Sequence, residues 1–215
     1  MKIILASGNA HKAREIGEMM GAEVLTLKDV GFVGEIVEDG ETFEANARIK
    51  VLALEKFVRG SPKWKGDASL VLLADDSGLE VDVLEGAPGV ISARYAGVPS
   101  NDAANNAKLM AALKDVPGPK RTAQFRCVLA AKRVGGEVQN FEGICRGKMG
   151  FLPKGASGFG YDPLFFPDGF CRTFAEIGAE EKNQVSHRAR AIAQLKDWLL
   201  PGFSDAALRR SASTS

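Results

Sequence analysis

The chain has 215 residues, 45% of them hydrophobic and 26% charged, with a net charge of +1 and a mean hydropathy of −0.07. That is enough for one full core, and it excludes a disordered chain or a membrane-spanning one. Interspersed charge of this balance also argues against a surface for polymeric nucleic acid or an anionic membrane, which need clustered Lys and Arg.

Residues 2–6 read as a short strand, 7–11 as a turn, and 12–20 as a helix whose Ile16, Met19 and Met20 face inward. So early a strand leaves no room for a signal peptide, and Cys127, Cys145 and Cys171 are an odd set without metal-ligand spacing. Both features predict a cytoplasmic protein with reduced thiols. A second short strand is expected over 23–27. After a glycine-spaced loop, residues 42–58 have the composition and length of a longer helix, N-capped within 40–42, and 60–67 make a connecting loop around Pro62. Leu70, Val71, Leu72, Leu73 and Ala74 form a continuous aliphatic run, which predicts a strand buried on both faces with helices above and below it. The run breaks at Asp75, Asp76, Ser77 and Gly78. Residues 86–89 are a turn-rich loop, Ser100 caps a helix through residue 113, and Pro117 and Pro119 end it. Strands follow over 124–133 and 137–146, and the Gly135, Gly136 pair between them predicts a two-residue hairpin. A last helix covers 186–200, capped by Ser186 and stopped by Pro201 and Gly202, with Ile192, Leu195 and Leu199 inward. The expected architecture is α/β, a mixed sheet flanked by helices in a single domain over 1–203, with a frayed tail over 204–215.

In open α/β sheets ligands bind beyond the carboxyl ends of the strands, so Asp75 and Asp76 either cap a turn or work on metal or water there. Ser7, Gly8, Asn9, Ala10, His11 and Lys12 join the first strand to the first helix, where free amides and the helix dipole favour a phosphate. The spacing of a P-loop is absent, and His11 by itself reads as solvated. On the 42–58 helix, Phe43, Asn46, Lys50, Ala53 and Phe57 share one face. Either Asn46 and Lys50 reach water from it, or the helix lines a cleft and Lys50 meets a phosphate. Glu38, Asp39 and Glu41 form an acidic loop, and one of them with an Asp after the buried strand suits magnesium, which takes oxygen ligands and keeps water. Phe159, Gly160, Tyr161 and Asp162 are either a glycine-rich turn into a strand or an aromatic face beside a carboxylate, able to stack on a base and hydrogen-bond its edge. Lys182, Ser186, His187 and Arg188 gather cations at a helix N-terminus, against the dipole, which points to a ligand.

These blocks, together with Glu15 and residues 74–83 and 86–95, closely resemble the inosine/xanthosine triphosphate pyrophosphatase family, nearly end to end. The resemblance implies a homodimeric enzyme with a long mixed sheet, two lobes and a central active-site cleft. Such an enzyme hydrolyses non-standard purine nucleoside triphosphates (ITP, dITP, XTP) to monophosphate and pyrophosphate. It further implies Asp76 as general base and metal ligand, Glu38 as the second carboxylate on Mg2+, and Ser77 in contact with substrate. Ser7 to Lys12 and Lys50 would hold phosphates, and Phe159 to Asp162, Lys182, His187 and Arg188 would hold the base. An alternative is a magnesium-dependent phosphatase on another phosphate ester, or a nucleotide-binding module without turnover.

Overall fold

Aliphatic strands with no polar face need cover on both sides, and two helical layers supply it. The structure is a computed structural model and describes residues 2–67 and 69–200; Pro201, Gly202 and the expected tail lie outside the described residues. In chain order the elements are β1 (Lys2–Leu5), α1 (Ala10–Met20), β2 (Val24–Leu25), α2 (Phe43–Gly60), β3 (Leu70–Val81) and α3 (Asp102–Ala112). They continue as β4 (Thr122–Arg133), β5 (Gln139–Met149), β6 (Phe165–Pro167), α4 (Ala179–Val185) and α5 (His187–Leu199). The sheet has six strands in the order β2-β1-β3-β4-β5-β6. It is mixed, because β2, β1 and β3 are parallel while β4, β5 and β6 add on antiparallel.

On one face α2 lays Ala47, Val51, Leu54 and Val58 against Leu70, Leu72 and Ala74 of β3. The other face carries Val71 and Leu73 beneath α1 and α5, through Ile16, Ile192 and Leu195. Further along that face, Leu79, Phe125, Phe165 and Phe174 make a third cluster. Each fully buried aliphatic side chain contributes about 1.5–3 kcal/mol. Thr42 caps α2 by accepting the Ala45 amide at 3.1 Å, and Ser186 caps α5 by accepting that of Ala189 at 3.2 Å. Gly143 lets α5 approach β5: a Cβ there would lie 2.0 Å from the His187 carbonyl oxygen.

Strand β3 does not stop at the acidic doublet but runs on to Val81, because β4 continues to pair with it from Asp75↔Leu129 to Val81↔Ala123. The cap of α3 is Asn101, which accepts the Ala104 amide at 2.9 Å; the Ser100 hydroxyl turns back to the Ala93 carbonyl. The hairpin is longer than two residues, since Ala131 pairs with Gln139 and Gly135 takes φ 83° within the connection. Helix α4 has no counterpart in the sequence reading.

One topological fact places the site. Strand β1 ends at Leu5, paired with Leu73, and the Ala6 amide donates to the Leu73 carbonyl at 2.7 Å. The same edge of β3 is next met at Glu80, bridged to Pro88. Asp75 to Gly78 therefore border a gap in the sheet edge, between the 7–12 turn and the 3₁₀ segment Gly89–Arg94.

Candidate active site

Successive residues of a strand point to opposite faces, and the doublet at the gap is divided in this way. Asp75 is fully buried on the α5 side. It accepts from Lys12 Nζ at 2.5 Å, Arg188 Nε at 2.8 Å, Ser77 Oγ at 2.8 Å and the Cys127 thiol at 3.4 Å. Burial pushes its carboxyl up, but the charges of Arg188 and Lys12 overcome this and hold it well below the usual range. Asp76 lies on the α2 side, where Lys50 Nζ donates to its Oδ1 at 2.7 Å and to Glu38 Oε2 at 3.0 Å. Burial dominates here and raises the Asp76 carboxyl, Lys50 offsetting only part of it. Its Oδ2 has no hydrogen-bond partner among the described residues. For Lys50, burial lowers the ammonium pKa, and Asp76 and Glu38 more than compensate, so the pKa is raised and the group stays charged.

Parts of the 7–12 turn, Ser77, residues 159–162, and Lys182, His187 and Arg188 line one cavity of ≈ 150 Å³ on the Asp75 side. Asp76, Lys50 and Glu38 lie outside it, across the gap in the sheet edge. Lys12 stands at the crossing: it reaches the Asp75 carbonyl at 3.5 Å and its charge acts on Asp76 as well. In the turn itself Asn9 Oδ1 accepts the amides of His11 (2.9 Å) and Lys12 (3.1 Å), and Ser7 Oγ that of Asn9 (3.1 Å). Only the Gly8 and Ala10 amides remain for an anion among the described residues. His11 is exposed yet not merely solvated, since its ring stacks on Phe159 at 5.4 Å.

At the far end of the cavity Asp162 Oδ2 accepts from the Phe159 amide at 2.9 Å and from Lys182 Nζ at 2.6 Å. Burial raises its carboxyl despite Lys182. Lys182 also donates to Glu15 at 2.8 Å, and Glu15 is paired in turn with Arg188. Asp162, Lys182, Glu15, Arg188, Asp75 and Lys12 thus form an unbroken series of alternating charges beneath the cavity. Arg188 is the centre of it. Its three nitrogens go to Asp75, Glu15 and, at 3.0 Å, Ser77 Oγ, so it braces the cavity floor that it also lines; a guanidinium carries five N–H donors. Tyr161 is likewise committed, donating its hydroxyl to the Ser92 carbonyl at 2.8 Å. His187 stacks on Phe125 at 4.8 Å, and its Nδ1 has no partner among the described residues. Burial, then the charges of Arg188 and Lys182, hold its pKa well below the usual value, so the ring is neutral.

Glu15 and Ser92, which the sequence marked only as parts of matching blocks, gain defined places here: Glu15 lies three residues after Lys12 on the same helix face, and Ser92 reaches the cavity from the Gly89–Arg94 segment. Asp102 and Asn105 reach it from α3, and nothing local in their sequence marks them.

No helix among the described residues is long and apolar enough to cross a membrane. A family model described as the Ham1 family matches residues 3–198. A dITP/XTP pyrophosphatase of Clostridium perfringens is 46% identical over 199 residues, covering 91% of this chain and 96% of that protein. Among solved structures, the Staphylococcus aureus Ham1 protein superimposes with a TM-score of 0.78 at 35% identity, over 93% of this chain and 98% of that one. The nucleoside-triphosphatase / dITP/XTP pyrophosphatase of Mycobacterium abscessus gives a TM-score of 0.69 at 44% identity, over 91% of this chain and 98% of that one.

Proposed function

The chain belongs to the Ham1 family, and we propose that its cleft hydrolyses non-standard purine nucleoside triphosphates, dITP, ITP and XTP, to the monophosphate and pyrophosphate. The observation that carries this reading is the unpaired Asp76 Oδ2, held at the gap in the sheet edge beside Lys50 and within the field of Lys12. A buried carboxylate oxygen without a partner costs free energy that a ligand can recover.

The base would occupy the cavity and the triphosphate would cross the gap. A 6-keto purine presents an N1–H donor and an O6 acceptor. Asp162 has one oxygen without a donor among the described residues, and Lys182 supplies positive charge beside it. Adenine reverses that polarity and would leave these groups unpaired, worth about 10³-fold or more in selectivity. The open Gly8 and Ala10 amides, Lys12 and Lys50 would hold phosphate oxygens. Asp76, its pKa raised by burial, would orient and deprotonate the attacking water.

Magnesium fits the carboxylate pair of Asp76 and Glu38. Two carboxylates brought together on Lys50 are the small hard-oxygen set that a water-retaining ion accepts. When bound, the ion would supply charge neutralisation for the triphosphate and the leaving pyrophosphate. Asp76 and Glu38 would hold it, and Lys50 bridges the two carboxylates.

We extend the proposal to a cytoplasmic homodimer of one two-lobed catalytic unit. The free thiols Cys127, Cys145 and Cys171 suit a reducing compartment. The test is an assay of purified protein on dITP, XTP, dGTP and ATP with magnesium and with EDTA, identifying the products. Pyrophosphate and dIMP from dITP, lost with EDTA, support the reading. Orthophosphate in place of pyrophosphate, or ATP turned over as fast as dITP, would overturn it.

A further inference from the structure

Within residues 158–162 the backbone depends on two left-handed glycines, Gly158 at φ 77° and Gly160 at φ 61°. Glycine in such positions is permitted but not held, and it keeps the largest conformational freedom of any residue. Something else must therefore fix Phe159, the aromatic face that stacks on His11 and lies 5.1 Å from Lys182 Nζ. Asp162 holds one side, through the Phe159 amide. The other side is held from α3, whose Leu109 packs in one cluster with Tyr161. Asp102, at the first turn, accepts the Gly160 amide at 2.7 Å, and Asn106, one turn on, donates Nδ2 to the Gly160 carbonyl at 2.8 Å. Residues four apart share a helix face, so the two side chains grip both polar groups of one residue. Helix α3 is itself pinned to the cavity wall. Asn105 donates to the Ala93 carbonyl at 3.0 Å and accepts the Ala96 amide at 2.7 Å.

We propose that Asp102 and Asn106 are positioning residues for nucleobase recognition, a clamp from α3 that fixes Gly160 and so sets the place of Phe159 and the width of the cavity. This rests on the proposed function of the cavity and adds a determinant of its specificity. The clamp acts through the Phe159 loop, and Asp76 lies outside the cavity that this loop lines, so it governs base binding and not the hydrolytic step. A loosened clamp lets the loop sample wider openings, which weakens binding of a keto purine and relaxes rejection of bases with a different edge.

The test uses Asp102→Ala, Asn106→Ala and Asp102→Asn in the full chain. Two readouts apply: KM and kcat for dITP, dGTP and dATP, and titration calorimetry of dIMP binding without turnover. Either alanine variant should raise the dITP KM and the dIMP Kd about tenfold, in line with loss of one ordered hydrogen bond and its loop. The dITP kcat should stay within about twofold, with the dITP preference over dGTP and dATP reduced. Asp102→Asn keeps an acceptor for the Gly160 amide and should restore KM and Kd to near wild-type values, which a mere loss of helix stability would not require. Unchanged KM and selectivity in both alanine variants would overturn the clamp, as would a fall in kcat at constant KM. Wild-type protein that ignores dITP would instead overturn the function on which it rests.

Discussion

Asp75 and Asp76 are consecutive residues whose carboxylates belong to separate charge systems on opposite faces of one strand. Asp75 is saturated by Lys12, Arg188, Ser77 and Cys127, whereas Asp76 keeps one oxygen unpaired. The first is built to hold cations still and the second to receive a ligand. Their substitutions should therefore fail differently.

Asp76→Asn should cut kcat for dITP by roughly 10³-fold or more while leaving the melting temperature within a few degrees. Burial already disfavours the charged form of Asp76, and Lys50 retains Glu38. Asp75→Asn should instead destabilise the fold by about 3–5 kcal/mol, because it strips the counter-charge from fully buried Arg188. Thermal denaturation and steady-state kinetics on the two variants decide it; equal melting temperatures would sink the division of labour.

Asn46 is buried, and its Oδ1 accepts the Gly40 amide at 2.8 Å, two residues beyond Glu38. Asn46→Ala should cost about 1–3 kcal/mol, by leaving the Gly40 amide unpaired, and should free the Glu38 loop. The expected kinetic signature is a rise of several-fold in the magnesium concentration giving half-maximal rate, at an unchanged dITP KM. A magnesium titration that superimposes on wild type would remove Asn46 from the support of Glu38.

The buried neutral His187 predicts an acid-labile fold. Its folded pKa is depressed below the unfolded value, so the unfolded chain binds the extra proton as pH drops below about 6.5. Its share of stability is therefore present above that pH and is lost progressively below it, by up to about 1.4 kcal/mol per pH unit, until the folded pKa is reached. Melting temperatures measured from pH 7.5 to 5.5 should fall more steeply for wild type than for His187→Gln; parallel curves would contradict the assignment.

How much of this was legible beforehand depended on how local the signal was. The aliphatic run at Leu70, the cap at Ser186 and the face carrying Asn46 and Lys50 are patterns within one element, and the fold realises each. The extension of β3 through the doublet was hidden, because the hydrogen bonds that carry it come from β4, some fifty residues away in the chain. The setting of Arg188 was hidden for the same reason: its partners Asp75 and Glu15 lie 113 and 173 residues off, and only folding brings them to it. Asp102 and Asn106 read as ordinary polar residues of an exposed helix turn until Gly160 arrives between them.

Asp162 offers the sharpest test of base reading. Both donors on its Oδ2, the Phe159 amide and Lys182 Nζ, require an acceptor there. In Asp162→Asn the carboxamide oxygen must keep that position, which turns the NH2 toward the cavity where a carboxylate oxygen stood. A donor then faces the purine N1. That opposes the N1–H of hypoxanthine and complements the N1 acceptor of adenine. We expect kcat/KM for dITP to fall about 10²-fold or more and that for dATP to rise, narrowing the dITP preference from both sides. The readout is the ratio of the two specificity constants in wild type and variant. If both constants fall by the same factor, Asp162 supports the loop without reading the base, and the polarity of the pocket must be carried by other groups of its lining, Lys182, His187 and Arg188 among them.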